Sequence, residues 1–91
     1  MTETAEARLK RLRMRAWRRG TKEMDLVMGP FADDHLAGMD AATLDAFDAL
    51  QAENDQDLIQ WVLCQVPPPP RHAALVAAMA AHARARLSAK T

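Results

Sequence analysis

Ninety-one residues make one domain with one modest core, and its 12 basic and 12 acidic side chains leave a formal net charge of zero. A chain of this size buries about 60–65% of its unfolded surface and keeps about 5–9 kcal/mol of net stability, so most apolar residues are committed to folding. The single cysteine, Cys64, excludes an internal disulfide, no apolar run approaches the ~20 residues that cross a bilayer, and the acidic opening Met1–Glu6 resembles neither a secretory signal nor a transit peptide.

The chain reads as helix throughout. Strand-like alternation is absent, tyrosine is missing, and Ala, Leu, Met, Arg and Glu dominate. A first helix is expected over Ala5–Arg19, with Leu9, Leu12 and Ala16 as its inner stripe. Gly20 is expected to end it in the left-handed conformation, with Arg18 and Arg19 favouring the dipole in the last turn. A second helix starts at once, opened by Glu23 and Asp25, with Met24, Val27, Met28 and Phe31 facing inward. Pro30 is expected to kink or break it, because an interior proline costs ~3 kcal/mol relative to alanine.

Asp40 predicts the N-cap of a third helix, with Met39 and Leu44 as a staple and Leu44, Phe47 and Leu50 pointing inward. Asn54 or Asp55 caps a fourth, in which Leu58, Trp61, Val62 and Gln65 share one face and Trp61 reaches the core or its rim. Cys64, beside Val62, Leu63 and Val66, reads as a buried structural thiol. Pro67–Pro70 forbids helix and imposes an extended connector. A fifth helix follows over Arg71–Ser88, with Leu75, Ala78, Met79 and His82 on one face. The expected fold is all-α: a compact five-helix bundle, one domain over residues 1–91, with residues 1–7 and 88–91 as frayed tails.

Charge is segregated along the chain. Eight cations crowd the stretch from Arg8 to Lys22, whereas no Lys or Arg occurs from Glu23 to Pro70. Two readings stand side by side. Either one basic helix packs beside acidic ones and the charges neutralise internally, or a basic face is kept for an acidic partner.

Catalytic and metal-binding patterns are missing. His35, His72 and His82 form no i, i+4 pair with another ligand, and the one serine, Ser88, lies in the C-terminal tail. The carboxylate pairs Asp33-Asp34 and Asp55/Asp57 fall near helix ends, where capping accounts for them. No glycine-rich phosphate loop exists. The expectation is a protein with no catalytic residue, no metal and no cofactor of its own, acting by docking onto another protein.

The segment Arg18-Arg19-Gly20-Thr21-Lys22-Glu23-Met24-Asp25 is the most specified stretch. Capping explains each residue separately, yet together they place an arginine, a bare backbone position and two carboxylates on one helix–glycine–helix corner. Here the chain resembles the succinate dehydrogenase assembly factors that promote covalent attachment of FAD to the flavoprotein subunit. Their Arg-Gly-x-x-Glu hallmark, extended to an aspartate two residues on, matches Arg19-Gly20-Thr21-Lys22-Glu23 with Asp25. Trp17-Arg18 precedes it, Pro30-Phe31 follows at the usual interval, and Asp57-Leu58-Ile59-Gln60-Trp61 matches the family's aspartate-leucine-x-x-tryptophan element. The likeness spans roughly residues 8 to 87. Thr21 departs from the methionine that many members place after the glycine.

The resemblance implies a small five-helix factor that binds the flavoprotein subunit of succinate dehydrogenase, and in some bacteria that of fumarate reductase. The chemistry there, a bond between a client histidine and the flavin 8α-methyl carbon, belongs to the client and its cofactor. A helper supplies orientation and shielding. On this reading Gly20 permits close approach near the client's FAD and Arg19 reaches a client or cofactor acceptor. Glu23 and Asp25 pair with client cations or hold Arg19 from within, and Arg11 and Arg15 steer toward an acidic surface. A free monomer, no membrane insertion and a bacterial cytoplasmic setting complete the expectation. The rival is a helical nucleic-acid binder or generic adaptor using the basic first helix, opposed by the neutral total charge and the acidic middle stretch.

Overall fold

Each of the first four helices opens on a side chain suited to its vacant N–H groups. The computed structural model describes residues 3–89, with side chains to Arg86. It comprises α1 (Ala5–Ala16), α2 (Lys22–His35), a single 3-10 turn (Leu36–Gly38), α3 (Ala41–Gln51), α4 (Asp55–Val62) and α5 (Pro70–Ala89), with no strand among the described residues. Thr4, Thr21, Asp40 and Asn54 are the N-caps, accepting from Ala7, Met24, Thr43 and Asp57 N–H at 3.0, 3.3, 2.8 and 2.9 Å. Such caps are worth about 1 kcal/mol each. The all-α bundle and the Asp40 cap are as expected, and of the two caps expected for α4 it is Asn54 that serves. Thr4 extends order into the expected tail, since α1 begins at Ala5. Residues 88 and 89 are likewise helical, and the remaining tail positions, 1–2 and 90–91, lie outside the described residues.

Three local expectations are corrected. First, α1 stops at Ala16 and not Arg19. The Trp17 N–H is shared between the Arg13 and Met14 carbonyls at 3.3 and 3.2 Å, and Arg18 N–H reaches Arg15. This tightened turn closes the helix with right-handed geometry, and no glycine among the described residues has positive φ. Gly20 is therefore not a left-handed cap. Second, α2 runs unbroken through Gly29-Pro30. The proline removes the N–H that would bond the Leu26 carbonyl, and the Arg86 guanidinium donates to that oxygen at 2.7 Å instead. Third, Pro70 is the first residue of α5, where a missing N–H costs nothing and a fixed φ suits the helix.

One core joins all five helices. It contains Leu12 and Ala16 of α1, Met24, Met28, Phe31 and Ala32 of α2, Phe47 and Leu50 of α3, Leu58, Trp61 and Val62 of α4, and Val76, Met79 and Ala80 of α5. Trp61 is a core residue, as its helical spacing implies. The inner face of α5 centres on His72, Val76, Met79 and Ala80; Leu75 and His82 are only partly buried and Ala78 is exposed, contrary to the expected stripe. Cys64 is exposed and not buried. It has φ 61° at the end of α4, where Gln65 and Val66 N–H both turn back to the Gln60 carbonyl at 2.8 and 3.3 Å. That turn carries Leu63 and Val66 outward.

Trp17 lies flat across α2. A Cβ on the buried Gly29 would sit 2.4–2.7 Å from the indole carbons, so only glycine admits this contact. The indole N–H donates to the Asp33 carboxylate at 3.2 Å, one turn further on. α1 is thereby pinned to α2 just ahead of the corner.

Candidate functional site

The corner between α1 and α2 is built around Arg19, and the side chain points inward. Its Nε donates to Asp55 Oδ1 at 2.9 Å, one terminal nitrogen to the Gln51 carbonyl at 2.6 Å, and the other to the Glu53 carbonyl at 2.7 Å. The planar fork thus grips both ends of the α3–α4 connection. It neutralises carbonyls at the negative end of α3 and pairs with a carboxylate at the positive start of α4. The Arg19 and Asp55 side chains are each only 10% exposed. Arg19 is expected to reach outward to a client acceptor, but its side chain turns inward and commits three of its five N–H donors to its own chain.

Asp55 organises the rest. Its second oxygen accepts from Thr21 N–H at 2.8 Å and from the Thr21 hydroxyl at 3.3 Å. Thr21 in turn caps α2, which gives this threonine a structural task. A Cβ on Gly20 would stand 3.2 Å from the same Asp55 oxygen, closer than ordinary contact, and three donors hold that carboxylate in place. Gly20 is needed so that Asp55 can lie against the backbone, while its own surface stays exposed. Asp25 accepts the Arg19 backbone N–H, which makes it part of the internal frame rather than a group free for client cations. Glu23 and Lys22 are exposed and enter none of the bonds that hold the corner.

Much of the basic charge of α1 is met within the chain, chiefly by α3. Arg8 pairs with Asp45, Arg11 with Asp48 at 3.0 Å and Glu3 at 2.9 Å, Arg15 approaches Asp48 at 3.9 Å, and Arg13 approaches Asp33 at 3.5 Å. The Arg11 guanidinium holds the Asp48 carboxyl below the usual carboxylate range. Of the two residues expected to steer toward an acidic surface, Arg11 is paired with two carboxylates, whereas Arg15 is 47% exposed and only approaches Asp48. Asp33 and Asp34 are likewise not caps. Asp33 accepts from Trp17, and Asp34 bonds His82 Nε2 at 2.6 Å.

Beneath the corner lies a second link. Buried His72 bonds the Glu53 carboxylate at 2.8 Å and packs on Trp61, with ring centroids 5.8 Å apart. That hydrogen bond, before the weaker pull of Arg71, lowers the Glu53 carboxyl below its ordinary value. Because Arg19 holds the Glu53 carbonyl, one residue ties the corner to the start of α5. No cluster of three or more potential metal ligands exists among the described residues. Asp55 is the residue that sequence reasoning treats only as a cap. Asn54, already a sufficient N-cap, is the one signal that Asp55 has another task.

Residues 10–83 match the family described as "Flavinator of succinate dehydrogenase". Among curated relatives, a mitochondrial succinate dehydrogenase assembly factor 2 of Mycosarcoma maydis is 38% identical over 72 residues, covering 79% of this chain and 30% of the relative. The namesakes in Cryptococcus neoformans and Candida glabrata are 41% and 37% identical, covering 59% and 68% of this chain and 31% and 40% of theirs. The chain thus spans about a third of the length of the relatives it matches. Their mitochondrial names in fungi overturn the bacterial cytoplasmic setting inferred from the acidic start. The names describe assembly factors, a non-catalytic role. With the match running from within α1 to within α5, across the whole Arg19–Asp55 frame, the chain belongs to the succinate dehydrogenase flavinator family.

Proposed function

We propose that this chain serves succinate dehydrogenase assembly by docking its α1–α2 corner onto the flavoprotein subunit, and onto that of fumarate reductase where one is present, holding the client while FAD becomes covalently attached. The observation that carries this reading is the division of labour within the Arg19-Gly20-Thr21-Lys22-Glu23 segment. Arg19, Asp25 and Asp55 fix its shape from beneath, while Gly20, Lys22 and Glu23 face outward on a corner braced against three helices. A corner held this firmly costs little conformational entropy on docking. The chain adds no reacting group: the client histidine and the flavin carry the chemistry, and the factor contributes orientation. Nucleic-acid binding loses its support because Arg8, Arg11 and Arg15 face carboxylates of α3 and Arg13 faces Asp33 of α2.

The test is reconstitution of purified flavoprotein subunit with FAD, scored by in-gel flavin fluorescence. The wild-type chain should raise covalent flavin. Gly20→Arg, which forces a side chain between the corner and Asp55, should abolish the rise while far-UV circular dichroism stays close to wild type. Full flavin loading with Gly20→Arg removes the corner from the mechanism.

A further inference from the structure

The two helices that start at the corner leave an apolar seam between them. Thr21, the cap of α2, is bonded to Asp55, the first residue of α4, so both helices set out from one point. Between them lies a groove of about 120 Å³ lined by Glu23, Met24, Val27, Ile59, Val62 and Leu63. Glu23 is its one charged lining residue and belongs to the first turn of α2, next to the corner. Leu63 on the rim is 60% exposed, and Leu26, next in sequence to the lining residue Val27, is 47% exposed. Exposed apolar surface rimmed by polar groups marks an interaction site on a small protein.

We infer that this groove is the second half of the docking surface and takes one aliphatic side chain of the flavoprotein subunit, whose neighbouring Lys or Arg pairs with Glu23. The inference rests on the client reading above. Size sets the occupant: a cavity of about 150 Å³ lined by aliphatic groups just holds benzene, so this groove admits a single Leu-, Ile- or Val-sized side chain and not a helix face. Charge sets its neighbour. Asp25 and Asp55 are both engaged inside the corner, whereas Glu23 is exposed at the groove and takes no part in that frame. A cation set beside an inserted aliphatic group meets this carboxylate as the side chain enters, which fixes both depth and direction of docking.

A photo-crosslinking residue placed at Leu63, at Lys22 on the corner and at Ala42 as a control tests the inference with purified flavoprotein subunit of succinate dehydrogenase. Leu63 and Lys22 should capture the subunit and Ala42 should not, and the Leu63 adduct should map to a client aliphatic residue beside a Lys or Arg. Leu63→Asp should weaken binding roughly tenfold or more, the scale of an interface hot spot, with an unchanged melting temperature. The loss caused by Glu23→Lys should be recovered by converting that client cation to Glu. Capture through Lys22 but not Leu63 overturns the groove and leaves the client reading standing. Adducts at Leu63 only between two copies of this chain assign the groove to self-association and overturn it also. No capture from either position fails the client reading and this inference with it.

Discussion

Removing the Asp55 carboxylate is the sharpest test of how the corner is held. Asp55→Ala deletes the partner of Arg19 Nε and the acceptor of two Thr21 donors at once. Breaking a buried ion pair from one side costs about 3–5 kcal/mol. Arg19 would still keep the Gln51 and Glu53 carbonyls, which places the cost at the lower end, about 3 kcal/mol. Against the roughly 5–9 kcal/mol expected for a chain of this length, that is a third of the stability or more. At about 4–8 °C per kcal/mol for a small domain, the melting temperature should fall by about 12–24 °C. Asp55→Asn retains one acceptor oxygen and should lose about half as much. Asp57→Ala, at a half-exposed position on the same turn whose side chain bonds only Asn54, serves as a control and should shift stability by less than about 0.5 kcal/mol. Thermal melts followed by far-UV circular dichroism at neutral pH read all three. A fall below about 4 °C for Asp55→Ala, or one no larger than that of Asp57→Ala, refutes the account of Asp55 as organiser of the corner.

Gly29→Ala forces a methyl group into the Trp17 indole and should cost about 1–3 kcal/mol, with a red shift in tryptophan emission as the ring lifts; unchanged melting and emission would contradict the packing. Cys64→Gly relieves the left-handed strain at φ 61° and, after the entropy of the added glycine, should stabilise by about 0.5–1 kcal/mol in urea titration, whereas destabilisation would mean that the thiol packs usefully. Acid should weaken the fold in a defined window. Glu53 and Asp48 are held below their ordinary 4.5 and 3.8, so their contributions are complete above those values and disappear as pH falls through the lower folded-state values. The urea midpoint should therefore decline below about pH 4.5, less steeply in Glu53→Gln and in Asp48→Asn, and equal slopes in all three proteins would refute the pairing.

What was legible in the sequence was whatever depends on near neighbours. Asp40 and Asn54 announce their caps because the N–H groups they serve lie three residues on. Trp61, Leu58 and Phe47 reveal their burial through helical spacing. The family hallmark is itself a short string. The errors come from contacts made across the fold. Arg19 looks like an outward fork until α4 is seen to bring Asp55 beside it, 36 residues away. Arg11 looks free until α3 supplies Asp48 from 37 residues away. Gly29 gives no sign that an indole rests on it, and Pro30 looks like a break until a side chain 60 residues distant from Leu26 fills the vacancy. Cys64 misled for a different reason: its apolar neighbours suggest burial, but α4 ends at the buried Val62, and Leu63 and Val66 lie exposed on either side of the left-handed residue.

The Arg86 contact to the Leu26 carbonyl has a mechanical result. A helix carrying an interior proline ordinarily owns a hinge, and here the hinge is bolted from outside by the last helix. Lys22 through His35 then behave as one stiff lever. Replacing that one guanidinium would leave the Leu26 carbonyl to water and free the two halves of α2 to bend about Pro30.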